Sequence, residues 1–257
     1  MLLFSTDIDG TIFDGPETAE IFAAFWKNLQ EMPEPPLLVY NTGRSLDDVH
    51  GLLRDTALPG PDFIIAGVGT EMFDHGKGRV VEEWNETLSG DWDFETIHRL
   101  ISSEIEDIEA QPDECQNEFK CSWFYHDKSR EDLDRIAELI DSAGLEAQVV
   151  YSSNRDLDIL PRQANKGNAL RWLAGWKEIP LHRVAVAGDS GNDSSMFLVD
   201  DTFGVVVSNA EEALISAVAG GNAYLSEEPC ARGVIEGLSR HLGLDTQSLS
   251  KGTSTSG

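Results

Sequence analysis

The stretch LLFSTDIDGT, residues 2–11, decides the fold. A short apolar run ends abruptly in two acids and a glycine. Such a run suits a strand buried on both faces, as in a parallel sheet. Asp7 and Asp9, just past its end, then lie where ligands bind in open α/β sheets. A turn there can aim both carboxylates at one point, and clustered hard oxygen ligands suit Mg²⁺. Taken alone, the motif reads equally well as a surface turn rich in Asp and Gly.

The same pattern recurs along the chain. LLVYNT (37–42), FIIAGVG (63–69), VAVAGD (184–189) and FGVVVSN (203–209) are apolar runs that end in polar turns. Helical spacing appears between them at 17–31, 45–54, 166–175 and 231–242, with Ser45 as N-cap and Asp47 and Asp48 in the first turn of the second. Strands alternating with helices predict an α/β fold with a Rossmann-like parallel sheet. Residues 84–158 differ. A helix at 92–108, a turn-rich stretch at 111–118, a strand at 119–125, a helix at 129–144 and a strand at 147–153 predict an inserted α+β cap. The expected division is a core of 1–83 and 159–246, a cap of 84–158, and a disordered Ser/Gly-rich tail of 247–257.

Charge narrows the partners. The 257 residues carry a formal net charge of −27, which opposes binding to nucleic acid or anionic membrane. The cap, with 20 acids and 6 bases, holds −14 of it. No apolar run approaches the ~20 residues that span a bilayer, and no charged region precedes the first apolar run as in a signal peptide. Three cysteines without a CxxC pair fit a reducing cytoplasm. A cytoplasmic monomer is expected.

Three further motifs sit where chemistry could converge. Asn41-Thr42-Gly43-Arg44-Ser45 opens a helix after a strand and offers a hydroxyl and backbone N–H groups to an anion. Asn165-Lys166-Gly167-Asn168 places a lysine at a helix start, unfavourable for the helix dipole unless its ammonium serves a phosphate. Gly188-Asp189-Ser190-Gly191-Asn192-Asp193 again follows an apolar strand with two acids and an amide. The six histidines show no metal spacing, and no phosphate-loop or dinucleotide fingerprint occurs.

In order and spacing the four motifs together resemble the haloacid dehalogenase superfamily of phosphatases, over the whole chain except the tail. The resemblance implies Asp7 as nucleophile and Asp9 as general acid and base. It implies Mg²⁺ held by Asp7, a backbone oxygen of Asp9, Asp189 and, directly or behind them, Asp193. Thr42, Gly43, Lys166 and Asn192 would hold the phosphoryl oxygens. The insert's position is similar to an α/β type-two cap. AGVGTEMF (66–73), FKCSWF (119–124), YSSNRDLDILPRQANKGNAL (151–170) and GDSGNDSSMF (188–197) resemble the sucrose-phosphate phosphatase family. That implies a sugar phosphate as substrate, sucrose 6-phosphate first. Mannosylfructose, mannosylglycerate, glucosylglycerol or trehalose phosphate, and a phosphomannomutase activity, are the alternatives. A non-catalytic regulatory domain would be expected to lose the acids that are present here. Sugar contacts are expected from Arg44, Thr70 and Glu71 of the core and from Lys120, Ser122, Tyr125, Asn154 and Asp156 of the cap. Asp156 and Asp158, alternating in a strand, are expected to face opposite ways, so that one serves the site.

Overall fold

The structure is a computed structural model that describes residues 1–90, 92–152 and 154–244. The expected tail, 247–257, lies outside them. The first strand, β1 (Leu3–Thr6), is wholly buried. It pairs in parallel with β2 (Leu37–Asn41) on one side and with Val184–Gly188 on the other. The chain thus leaves β1 in one direction and returns beside it from the other, which puts the topological switch at the end of β1. β3 (Phe63–Ala66) extends the sheet beyond β2, and an antiparallel hairpin of β4 (Glu71–Asp74) and β5 (Arg79–Val80) closes that edge.

A second, four-stranded antiparallel sheet follows: β6 (Glu109–Ala110), β7 (Cys121–Phe124), β8 (Ala147–Ser152) and β9 (Asp156–Pro161), in the order β6-β7-β9-β8. The chain then returns through β10 (Val184–Gly188), β11 (Phe203–Val206) and β12 (Tyr224–Leu225) to complete an eight-stranded sheet, β12-β11-β10-β1-β2-β3-β4-β5.

Period-two alternation sorts the core strands between two apolar layers. Phe4, Leu38, Tyr40, Ile64 and Ala187 pack with α1 (Pro16–Gln30) through Phe22 and Trp26. Leu3, Val39, Ile65 and Val186 pack on the other face with α6 (Lys166–Trp176) through Leu170 and Leu173. The remaining core helices are α2 (Leu46–Asp55), α3 (Glu82–Leu88), α7 (Ser194–Phe197), α8 (Glu212–Val218) and α9 (Cys230–Leu242). Because both faces are covered, the strands read as continuous apolar runs. Among the described residues no helix is long and apolar enough to cross a membrane.

In the second sheet Cys121, Trp123, Tyr125, Leu157 and Ile159 form a separate buried cluster with α4 (Phe94–Glu104) and α5 (Arg130–Ser142). The opposite face turns toward the core: Leu160 and Val150 join the core layer that holds Leu170. Two expectations change here. Trp84 and Leu88 on α3 pack in that same core layer, so core packing runs past residue 83, where the cap was expected to begin. Asp156 and Asp158 share the core-facing side of β9, because residues two apart in a strand point the same way.

The expected strand 63–69 ends at Ala66, and Gly67, Val68 and Gly69 turn with φ of 55°, 59° and 93°. The β4–β5 hairpin was missed, although DHGKG (74–78) marks its turn: the Lys77 N–H donates to the Asp74 carboxylate at 3.0 Å.

Candidate active site

The ends of β1, β2 and β10 and the start of α6 bring the four motifs to one edge of the sheet. Asp7 follows β1 and is 6% exposed. Lys166, the first residue of α6, is fully buried. Its ammonium donates to Asp7 Oδ1 at 2.8 Å and to Asp193 Oδ1 at 2.6 Å. Asn165 caps the helix by accepting from the Asn168 N–H at 2.8 Å, which fixes the helix start and with it the base of the lysine. Burial alone would lower the lysine, but the charges and hydrogen bonds of Asp193 and Asp7 outweigh it and hold the ammonium above its ordinary value.

Burial pushes the Asp7 carboxyl up to about 7, with Lys166 pulling it back and Asp193 and Asp189 adding to the rise. Asp189 is pushed up to about 6, again chiefly by burial. Its Oδ1 accepts from the Thr11 hydroxyl at 2.8 Å. Asp7, Asp189 and Asp193 offer oxygens that lie within 4.8 Å of one another. Crowded, largely desolvated carboxylates of this kind suit a hard divalent cation. The backbone is shaped for the crowding: at Gly10, with φ of 72°, a Cβ would lie 2.2 Å from Asp189 Oδ2. Gly10→Ala costs about 1–2 kcal/mol from the left-handed backbone alone and pushes Asp189 off Thr11. The expected result is a folded protein with Mg²⁺ affinity lowered at least tenfold, read by calorimetry. Unchanged affinity would detach Asp189 from metal binding.

Asp193 differs from its neighbours. While Oδ1 takes the lysine, Oδ2 accepts the N–H groups of Asp189 and Ser190 at 3.0 and 2.9 Å. Both oxygens are therefore engaged in holding the loop and the lysine. Thr42, 1% exposed, follows β2, and its Oγ1 accepts from the Arg44 N–H at 3.1 Å. Asn192 Nδ2 lies 4.0 Å from where a Gly43 Cβ would stand, so the two phosphate-loop candidates face each other.

Arg44, expected at the sugar, instead grips Asp9. Its Nε and Nη2 each donate to an Asp9 oxygen at 2.6 Å. The Asp9 carboxylate thereby stands outside the Asp7–Asp189–Asp193 group.

A cleft of ≈ 480 Å³ lies between the core edge and the cap, lined among others by Asp48, Gly67, Glu71, Asn117 and Lys120. Of the expected sugar contacts it takes in Glu71 and Lys120. The others lie outside this lining and hold partners of their own. Ser122 is buried and donates to Asp158 at 2.5 Å, with the Cys115 carbonyl 3.2 Å from the same hydroxyl oxygen. Tyr125 belongs to the apolar layer of the cap. Asn154 forms the β8–β9 turn with φ of 52° and accepts the Asp127 N–H through its carbonyl. Asp156 faces the core but is paired with Arg155 at 2.9 Å and Gln111 at 2.9 Å. Thr70, fully buried, donates to the Gly67 carbonyl at 2.9 Å.

Several residues at this edge escaped the sequence reading. Thr11 holds Asp189, and its place in DIDGT was the available signal. Asn209, past β11, donates to the Gly10 carbonyl at 2.8 Å. Glu211 accepts the Gly191 N–H at 3.1 Å.

Known proteins share this arrangement of elements. Over 244 residues the chain is 39% identical to the mannosylfructose-phosphate phosphatase of Agrobacterium fabrum, covering 95% of this chain and 97% of that protein. It is 32% identical over 253 residues to a probable sucrose-phosphatase of Arabidopsis thaliana, where it spans 58% of the relative's length. The structure superposes on the sucrose-phosphatase of Synechocystis, solved with sucrose and phosphate, with a TM-score of 0.83 at 28% identity, covering 94% of this chain and 98% of that one. A haloacid dehalogenase-like hydrolase of Bacillus subtilis shares the fold at a TM-score of 0.68 and 15% identity. Residues 1–242 match the family described as Sucrose-6F-phosphate phosphohydrolase, and the chain belongs to that family of phosphatases, on a haloacid dehalogenase fold.

Proposed function

We propose that the protein is a Mg²⁺-dependent phosphatase of a disaccharide phosphate, with sucrose 6-phosphate as first candidate. The observation that carries this reading is the buried Asp7 carboxylate, paired with Lys166 and grouped with Asp189 and Asp193 at the edge of the parallel sheet. Mannosylfructose phosphate is the second candidate, favoured by the 39% identity over nearly the whole of that relative. Mannosylglycerate and trehalose phosphates and phosphomannose lack a comparable observation.

Phosphoryl transfer is mostly positioning and charge neutralisation. In this reading Asp7 attacks phosphorus and becomes an aspartyl-phosphate, which divides one hard step into two. Thr42, Gly43, Lys166 and Asn192 hold the phosphoryl oxygens. Asp9 protonates the departing sugar oxygen and later deprotonates the attacking water. For that, Arg44 must release it. Mg²⁺ would be held by Asp7, Asp189 and a backbone oxygen of Asp9, with Asp193 behind them, and would neutralise phosphoryl charge. The three cysteines, all free, fit a reducing compartment such as the cytoplasm.

The test is phosphate release from a panel of sugar phosphates with and without Mg²⁺. Sucrose 6-phosphate or mannosylfructose phosphate is expected to lead. Faster turnover of fructose 6-phosphate and trehalose 6-phosphate would overturn the substrate reading.

Metal binding has a signed pH dependence. Asp7 near 7 and Asp189 near 6 must lose their protons to act as ligands. Mg²⁺ affinity therefore falls as pH drops through 7 and falls more steeply through 6. Protons are released on binding at pH 6 and scarcely at pH 8. Calorimetry in two buffers of different ionisation enthalpy reads the count. Equal release at both pH values would refute the assignment.

A further inference from the structure

One cap side chain reaches into the core where the sugar would lie. Asn117 sits in the loop between β6 and β7. Its amide nitrogen donates to Thr70 Oγ1 at 2.9 Å and to Glu71 Oε2 at 3.2 Å. Its amide oxygen accepts the Phe119 N–H at 2.8 Å. Two acceptors on one side and a backbone donor on the other fix which way the amide faces. The loop is itself seated: Phe119, 3% exposed, packs in the core layer that contains Leu170 of α6.

From Asn117 a relay of hydrogen bonds leads to the phosphate loop. The Thr70 hydroxyl donates in turn to the Gly67 carbonyl. The Gly67 N–H donates to the Arg44 carbonyl at 2.8 Å, and the Val68 N–H to the Thr42 carbonyl at 3.0 Å. A Cβ at Gly67 would lie 2.4 Å from Thr70 Oγ1 and 3.3 Å from Asn117 Nδ2, so the glycine leaves room for the approach. At the other end Glu71 lines the cleft. With Oε2 taken by Asn117, its Oε1 is left to accept a hydroxyl. Burial raises the Glu71 carboxyl, and the Asn117 hydrogen bond and Lys120 oppose that rise.

We propose that Asn117 is a positioning residue: seated with the cap, it orients the Glu71 carboxylate for a sugar hydroxyl. This rests on the reading of the protein as a sugar-phosphate phosphatase. It separates recognition of the sugar from attack on phosphorus, because the hydrogen bonds of Glu71 and Asn117 go to neither Asp7 nor Lys166.

The test compares kcat and KM for the leading sugar phosphate with those for p-nitrophenyl phosphate, which has no sugar. In Asn117→Ala the ratio of the two kcat/KM values should fall at least about tenfold, carried mainly by KM for the sugar phosphate. Asn117→Asp, which sets a carboxylate against Glu71, should lower it further. Adding Glu71→Gln to Asn117→Asp returns an amide to the pair and should recover part of the loss. Turnover of p-nitrophenyl phosphate shows that each variant is folded. A ratio unchanged in every variant, an equal loss for both substrates, or a double variant no better than Asn117→Asp overturns the proposal alone. Wild-type protein that splits p-nitrophenyl phosphate but none of the sugar panel overturns the reading beneath it as well.

Discussion

Asp7→Asn lowers sugar-phosphate turnover by about 10,000-fold or more, the scale of losing a catalytic nucleophile, and leaves the fold intact. An amide keeps the shape of the carboxylate but has no charge with which to attack phosphorus. Stability points the other way from activity. Burial pushes the Asp7 carboxyl up to about 7 in the folded protein, from an ordinary value of 3.8. A group raised in this way contributes stability below its unfolded value and loses it as pH rises through the folded one. At pH 8 and without metal, the ionised Asp7 is therefore a net burden. Asp7→Asn should then be at least as stable as the parent, and its advantage should shrink as pH falls from 8 to 5. Lys166 remains paired with Asp193 at 2.6 Å, so the lysine is not orphaned. Urea titrations at the two pH values read stability, and phosphate release reads activity. A variant that is folded and fully active removes Asp7 from the role of nucleophile.

The parts of this site that sequence made legible share one property: their position follows from local pattern. Asp7, Thr42 and Asp189 each end an apolar run, and parallel strands deliver their ends to one edge whatever the details of packing. Lys166 was legible as a misfit, a cation at a helix start, and its pairing with two buried acids explains the misfit. Arg44 was not legible in this way. Its partner Asp9 is 35 residues distant, and nothing near either residue announces the pair. Tyr125 shows a second limit. The run CSWFY had to divide between two faces, but which face meets the helices depends on how β7 packs, and the structure puts Trp123 and Tyr125 inside together. Asp156 and Asp158 were misjudged despite the strand being recognised, because a spacing of two keeps both on one face. Asn117 lay in a stretch that reads only as turns, where spacing carries no periodic signal.

Lys166→Met is expected to destabilise the metal-free protein by about 3–5 kcal/mol at pH 8, the usual cost of leaving a buried charge without its partner. Methionine retains most of the aliphatic stem, so the change removes charge more than volume. Asp7 and Asp193, 6% and 0% exposed, then face each other with no cation between them. Their repulsion adds to the burial that already raises Asp7, so its folded value moves higher still. The penalty is present where Asp7 is ionised and disappears as it takes up its proton. Stability of the variant should accordingly rise as pH falls from 8 toward 6, more steeply than in the parent, where Lys166 opposes the rise. Millimolar Mg²⁺ should return part of the loss at pH 8, because binding to the folded form alone stabilises it by mass action. Activity should not return with stability, since the ammonium that would meet the phosphoryl oxygens is gone. The measurement is the urea midpoint at pH 6 and pH 8, with and without Mg²⁺. A deficit equal at both pH values and blind to Mg²⁺ would mean that Lys166 matters through the packing of its stem, not through the charge it places between Asp7 and Asp193.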